Sequence, residues 1–209
     1  MSLPPHVRDA YALTSTEDIR SLYRDWAQTY DAGFGEAQGY DLPRQVALAF
    51  VGAGGEGPVM DVGVGTGLVG DHLSALNVGP IDGLDLSAEM LAVASVKQIY
   101  RDLIEDDLMS PSQPYGGYAG FVSAGTFTFG HLGPDGIDPL LGMAAPGALF
   151  VLSVNAGHFE AAGFAGKLAE LGERITDLQL RDVRIYDDRA DADHRDDMAR
   201  LLIFRMRRG

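Results

Sequence analysis

The sequence predicts an α/β protein: a doubly wound, seven-stranded, mostly parallel sheet with an antiparallel last strand, behind an N-terminal helical cap. Three observations carry that expectation. From about residue 57 onward, short apolar runs of strand length alternate with segments of helical period, the pattern left by crossover helices between parallel strands. The last two apolar runs have no room for a crossover helix between them, so they pair as a hairpin. A chain of 209 residues, 46% hydrophobic and 22% charged, suffices for one such core and is too short for two ordinary domains. The expectation is a single domain, with residues 1–52 as the cap and 57–209 as the core.

In order along the chain, Ser15 with Asp18 three residues on marks a helix start, followed by Ile19, Leu22, Tyr23, Trp26 and Tyr30 at helical spacing. Asp41 and Pro43 open a second, short helix through Val46 and Phe50, and Gly52-Ala53-Gly54-Gly55 ends it. Residues 58–62 read as a strand, 68–76 as a helix, 81–86 as a strand and 87–100 as a helix capped by Ser87. Strands follow over 103–105, 120–123 and 148–154, with helices over 137–144 and 159–171. The hairpin pairs 178–186 with 198–206 and gives the sheet one antiparallel edge.

Composition excludes several functions. Thirty acidic against 16 basic residues leave a formal charge of −14, which repels phosphate backbones and anionic lipid. The one basic cluster, Arg205, Arg207 and Arg208, sits at the C-terminus, so neither a nucleic-acid nor a membrane partner is expected. With no cysteine there is no thiolate metal site or cysteine nucleophile. The first residues lack a basic region followed by an apolar stretch, and the expected location is cytoplasmic. Six aspartates crowd residues 187–197, but the turn glycine and terminal glutamate of a calcium loop are missing; a solvated loop is expected, and no metal.

The most informative stretch is Asp61-Val62-Gly63-Val64-Gly65-Thr66-Gly67, a strand running into a glycine-dense turn and then a helix. Such a turn lets a ligand lie on bare backbone at the carboxyl edge of the sheet. Residues 65–70 also match the G-x-G-x-x-G fingerprint of dinucleotide sites. Asp61 separates the two readings. A carboxylate ending a buried strand needs a partner; it repels a pyrophosphate and attracts the ammonium group of an amino-acid ligand, directly or through the loop amides. Asp85 ends the next strand twenty residues beyond Gly65, where a carboxylate can accept both ribose hydroxyls. A third acid pair, Asp106-Asp107, ends the third strand ahead of Leu108, whose amide can meet a ring nitrogen while the carboxylate accepts from an amino group.

These residues resemble the class I S-adenosylmethionine-dependent methyltransferases, with their Rossmann-like fold, over almost the whole chain. The resemblance implies that Asp61, Gly63, Gly65, Thr66 and Gly67 hold the methionine part of S-adenosylmethionine, that Asp85 binds ribose and that Asp107 contacts adenine. It implies also that Leu86 and Met90 flank the adenine ring, and that Ser123, in Ser123-Ala124-Gly125-Thr126-Phe127, lies near the sulfonium and the incoming substrate. Tyr23-Arg24-Asp25-Trp26-Ala27-Gln28-Thr29-Tyr30-Asp31 is similar to the Y-x-x-W-A-x-x-Y-D helix that covers the cofactor in small-molecule members. On that likeness Tyr23, Trp26 and Tyr30 form a lid; as an aromatic stripe at helical spacing they serve equally as core. Gly125 to Pro134 resembles the G-T-F-T-x-G-H-x-x-P segment of the methyltransferase-like group from the Williams-Beuren syndrome region.

The expected function is methyl transfer to a small-molecule oxygen, nitrogen or carbon nucleophile, leaving S-adenosylhomocysteine. His131 is the candidate general base, and His158 the second histidine in an active-site loop. The N/D-P-P-Y/F motif of amino-methylating nucleic-acid enzymes is absent after the fourth strand, where Ser123-Ala124-Gly125-Thr126 stands instead. A nicotinamide-dependent oxidoreductase and a non-catalytic cofactor-binding module are the alternatives, and a monomer or homodimer is expected.

Overall fold

A strand buried on both faces belongs at the centre of a sheet, and all four residues of Val59-Met60-Asp61-Val62 are buried. The computed structural model describes residues 39–190 and 194–208. Its elements, in chain order, are α1 (Leu42–Gly52), β1 (Val59–Val62), α2 (Leu68–Ala75), β2 (Ile81–Asp85), α3 (Ala88–Val96), β3 (Asp102–Glu105), β4 (Tyr118–Phe127), α4 (Ile137–Met143), β5 (Ala144–Asn155), α5 (Ala156–Ala162), α6 (Phe164–Leu171), β6 (Ile175–Arg184) and β7 (Met198–Met206). They form one seven-stranded sheet in the order β3-β2-β1-β4-β5-β7-β6. The expected aromatic helix with Tyr23, Trp26 and Tyr30 lies outside the described residues, as does most of the expected cap.

β1 pairs in parallel with β2 and β4, and the order of connection reverses on its two sides. That reversal opens a crevice at the carboxyl ends of β1, β2 and β4. Alternate residues face opposite layers. Val59, Val122 and Val151 pack with Val46 and Phe50 of α1 and Leu73 of α2. Met60, Phe121 and Phe150 pack with Leu140 of α4 and Phe164 and Leu168 of α6. On this second face Phe121, Phe150 and Phe204 stack in register across three strands, with ring centroids 4.6 and 4.7 Å apart.

Three element bounds are corrected, while the expected antiparallel last strand and edge hairpin stand: β7 pairs antiparallel to β5 on one side and to β6 on the other, so β6 closes the sheet. Leu201-Leu202-Ile203-Phe204 is a continuous apolar run, buried throughout, and so has to lie between two neighbours, while most of β6 is exposed. β6 also begins earlier and ends sooner than 178–186, and Tyr186 instead forms an isolated bridge with Tyr40. The helix expected over 159–171 is two helices, broken at Gly163, whose φ of +83° no helix interior accepts. The helix begun at Ser87, whose side chain accepts from the Met90 amide at 3.2 Å, ends at Val96 rather than at residue 100. Tyr100 is thereby released from the helix and turns back under the sheet edge.

No helix among the described residues is long and apolar enough to cross a membrane.

Candidate functional site

The loop after β1 is held from both sides. The amides of Gly63 and Val64 donate to the Leu84 carbonyl of β2 at 2.8 and 3.1 Å. The hydroxyls of Ser123 and Thr126 donate to the Val62 carbonyl at 2.8 and 3.1 Å, tying the end of β4 to the end of β1. Gly63 has a φ of +66°, and a β-carbon there would stand 2.0 Å from Thr126 Oγ1, so only glycine lets β4 approach this closely.

Asp85, at the end of β2, accepts from the Gly65 amide at 2.7 Å and the Ser87 amide at 2.9 Å. One carboxylate thus fixes the glycine loop on one side and the start of α3 on the other. Burial raises its pKa above the usual carboxylate value, against the lowering effect of those amides.

The two acids after β3 divide their work. Asp106 accepts from Ser112 N and Oγ, Tyr115 Oη and the Asp107 amide, and these donors hold its pKa down to about 2. It is the knot of its own loop. Asp107 accepts from the Met109 amide through one oxygen at 2.9 Å.

Asp61 is only 1% exposed. Its Oδ2 accepts from the Tyr100 hydroxyl at 2.8 Å, and its Oδ1 has no hydrogen-bond partner among the described residues. Burial pushes its pKa up to about 7, and repulsion from Asp85 adds to the rise.

These elements enclose a cavity of about 280 Å³. Of the residues expected at the site, Gly63, Gly65, Thr66, Asp85, Leu86 and Met90 line it, and so do Asp107, Leu108 and His131. Asp61, Gly67 and Ser123 do not line it: Asp61 and Ser123 are buried behind its wall, and Gly67 is the residue from which α2 starts. Thr126 and Leu132, from the stretches singled out around the end of the fourth strand, also line the cavity, as do Tyr40 and Met109, which were not singled out in the sequence. Tyr40 lacks any spacing signal, because a tertiary crossing brings it there.

The lining contains the carboxylates Asp85, Asp106 and Asp107 and, among the described residues, no lysine or arginine. It therefore suits S-adenosylmethionine better than a dinucleotide. Bare loop backbone, backed from behind by the Asp61 carboxylate, suits an ammonium group; Leu86, Met90 and Leu108 supply an apolar slot beside Asp107; and no described lysine or arginine is offered to a pyrophosphate.

The two histidines differ. His131 lines the cavity with Nδ1 3.1 Å from the Phe129 carbonyl, and burial lowers its pKa, which favours the neutral ring. His158 sits with Nε2 3.0 Å from the Leu132 carbonyl and its ring edge-on to Phe129 and Phe164, at 5.0 and 5.5 Å. It fastens the loop that carries Leu132.

The acids of the final hairpin behave otherwise. Asp182 meets Arg200 at 2.7 and 3.1 Å, Asp187 meets Arg189 at 2.7 Å and Asp188 meets Arg184 at 3.1 Å. No cluster of side chains suited to a metal ion occurs among the described residues.

No family model matches this chain. No curated protein is similar to it in sequence. Solved structures are similar in fold. Magnesium protoporphyrin IX methyltransferase from Synechocystis PCC 6803 with bound S-adenosylmethionine has a TM-score of 0.66 at 19% identity, over 93% of this chain and 98% of that one. The N-methyltransferase NodS from Bradyrhizobium japonicum WM9, in complex with S-adenosylhomocysteine, has a TM-score of 0.64 at 14% identity, over 90% and 97%. The cyclase SpnF has a TM-score of 0.68 at 16% identity, over 94% and 98%. A cyclase among these neighbours separates fold from reaction. At such identities the likeness is one of architecture: the chain has the Rossmann-like α/β fold that these methyltransferases share.

Proposed function

We propose that this chain transfers a methyl group from S-adenosylmethionine to a small-molecule oxygen, nitrogen or carbon nucleophile and releases S-adenosylhomocysteine. The observation that carries the proposal is the glycine loop set between two carboxylates, Asp61 buried behind it and half-buried Asp85 beside it, at a cavity whose described lining has no lysine or arginine. Structural neighbours that bind S-adenosylmethionine or S-adenosylhomocysteine support it.

When bound, the cofactor supplies a methyl group already activated by its sulfonium. The chain's own residues then bind and orient. The loop amides, backed by Asp61, hold the methionine end; Asp85 accepts from the ribose hydroxyls; Asp107 and the Leu108 amide meet adenine between Leu86 and Met90. Ser123, behind the wall, keeps the end of β4 in place beside the reacting centre. Most of the acceleration comes from holding acceptor and donor in line.

His131 is the proposed base. An imidazole that donates Nδ1–H to the Phe129 carbonyl carries its lone pair on Nε2, which suits removal of a proton from a hydroxyl or amine. The acidic lining and the −14 charge favour a neutral or cationic small molecule over nucleic acid. The Gly125 to Pro134 segment supports a proposed kinship with the Williams-Beuren-region group, and a cytoplasmic monomer or homodimer is the proposed state.

Calorimetric titration tests the cofactor: S-adenosylmethionine binds and NADH does not, and the reverse result sinks the proposal. Product formation against phenols, amines and carboxylic acids identifies the acceptor, and no product with any of them favours the non-catalytic module. His131→Gln is expected to lower kcat by about 100-fold while leaving S-adenosylhomocysteine affinity unchanged; unchanged turnover removes His131 as base.

A further inference from the structure

Tyr100 stands against the glycine loop, although neither the motif nor the cavity lining contains it. It follows α3 and turns back so that its ring lies under the start of α2. A β-carbon at Gly67 would stand 3.1 Å from its Cε2, one at Gly70 2.3 Å from its hydroxyl oxygen, and one at Gly83 3.2 Å from its Cε1. Glycines of the loop, of α2 and of β2 thus leave a slot, and the ring fills it. At the end of that slot the hydroxyl donates to Asp61 Oδ2 at 2.8 Å, while Asp61 Oδ1 has no partner among the described residues.

We infer that Tyr100 is a positioning residue of the cofactor site, whose hydroxyl holds the Asp61 carboxylate, and with it the glycine loop, in the arrangement that receives the ligand's ammonium group. The inference rests on the methyltransferase reading above. The groups facing Asp61 are few: the Tyr100 hydroxyl and the Gly70 amide favour its charged form, and the Asp85 carboxylate opposes it. Asp71, on α2, acts on Tyr100 in turn. Burial and the neighbouring carboxylates hold the phenol far above its ordinary pKa, so it remains a donor at every working pH. Replacing Tyr100 with phenylalanine keeps the ring in its slot and removes only the hydroxyl, which leaves a buried carboxylate with one donor fewer and shifts it toward its protonated form.

The test is calorimetric binding of S-adenosylhomocysteine to the full chain from about pH 6 to about pH 8, a window set by the unusual Asp61. Wild-type affinity falls toward the acid side as Asp61 protonates. Tyr100→Phe is expected to bind about 10-fold more weakly at neutral pH, with the midpoint of that fall moved to higher pH. A loosened loop alone weakens binding without moving the midpoint, so an unmoved midpoint overturns the inference, as does wild-type affinity. If the melting curve shows that Tyr100→Phe does not fold, Asp61→Asn decides: loss of the acid-side dependence supports the inference, and its persistence overturns it. A wild-type chain that binds no S-adenosylhomocysteine overturns the methyltransferase reading itself, and the inference with it.

Discussion

Around the glycine loop, Asp61 is 1% exposed and Asp85 answers two backbone amides, whereas on the final hairpin Asp188 is 94% exposed and answers one arginine. Both regions draw on the same acidic surplus. In the first, each carboxylate is drawn away from water and depends on named donors, so its charge is tied to one geometry. In the second, solvent screens the charge and its pairing contributes little to stability. Acid content alone does not distinguish a binding site from a solvated surface; the donors around each oxygen do.

The comparison breaks most readily at Asp85. Asp85→Ala removes the proposed ribose contact and the acceptor for the Gly65 and Ser87 amides together, and S-adenosylhomocysteine affinity is expected to fall ten-fold or more, on the order of charge-assisted hydrogen bonds worth about 1.5–3 kcal/mol. Unchanged affinity in a titration removes Asp85 from the site.

Asp61 offers a thermodynamic version of the same contrast. Its pKa of about 7 in the fold lies above the carboxylate value of the unfolded chain, so between them the folded state binds the extra proton. Its contribution is therefore fully present at acid pH and is lost as pH rises toward about 7. Urea midpoints of the wild type, measured against Asp61→Asn, should decline across that window; parallel curves contradict the buried, high-pKa aspartate.

A smaller effect separates the neighbouring acids. Asp107→Asn is expected to weaken S-adenosylhomocysteine binding several-fold at an unchanged melting temperature. Asp106→Asn, which strips the acceptor from Ser112 and Tyr115, is expected to lower the melting temperature first. An exchange of these two outcomes reassigns the adenine contact. Smallest of all, Asp188→Asn should leave both melting temperature and affinity at wild-type values; any loss of binding would give the hairpin a part in the site.

Much of this was legible residue by residue. Strand, glycine turn and helix over 59–75 follow from local period and backbone sterics; the spacing from Gly65 to Asp85 reads as a ribose contact, and the bond from the Gly65 amide to that carboxylate comes only with the structure. Tyr100 was read as the end of a helix, because nothing local says that its ring will cross to Asp61, 39 residues away. Asp106 and Asp107 are equivalent as letters. Only Tyr115 and Ser112, brought back by the following loop, give them different tasks.

By itself, the sequence determined what short-range forces encode: the alternation of strands and helices, the glycine cradle, the carboxylates at strand ends and the need for a closing hairpin. Tertiary structure alone decided that β7 lies inside β6, that Gly163 divides a helix, that Tyr40 reaches the cavity, and that Asp61 stands behind its wall with Tyr100 as partner. The reason is physical. Periodicity and turn sterics act over a few residues, whereas strand order and the partner of a buried charge depend on which distant segments share one face of the sheet, and that is settled only when the layers close and exclude water.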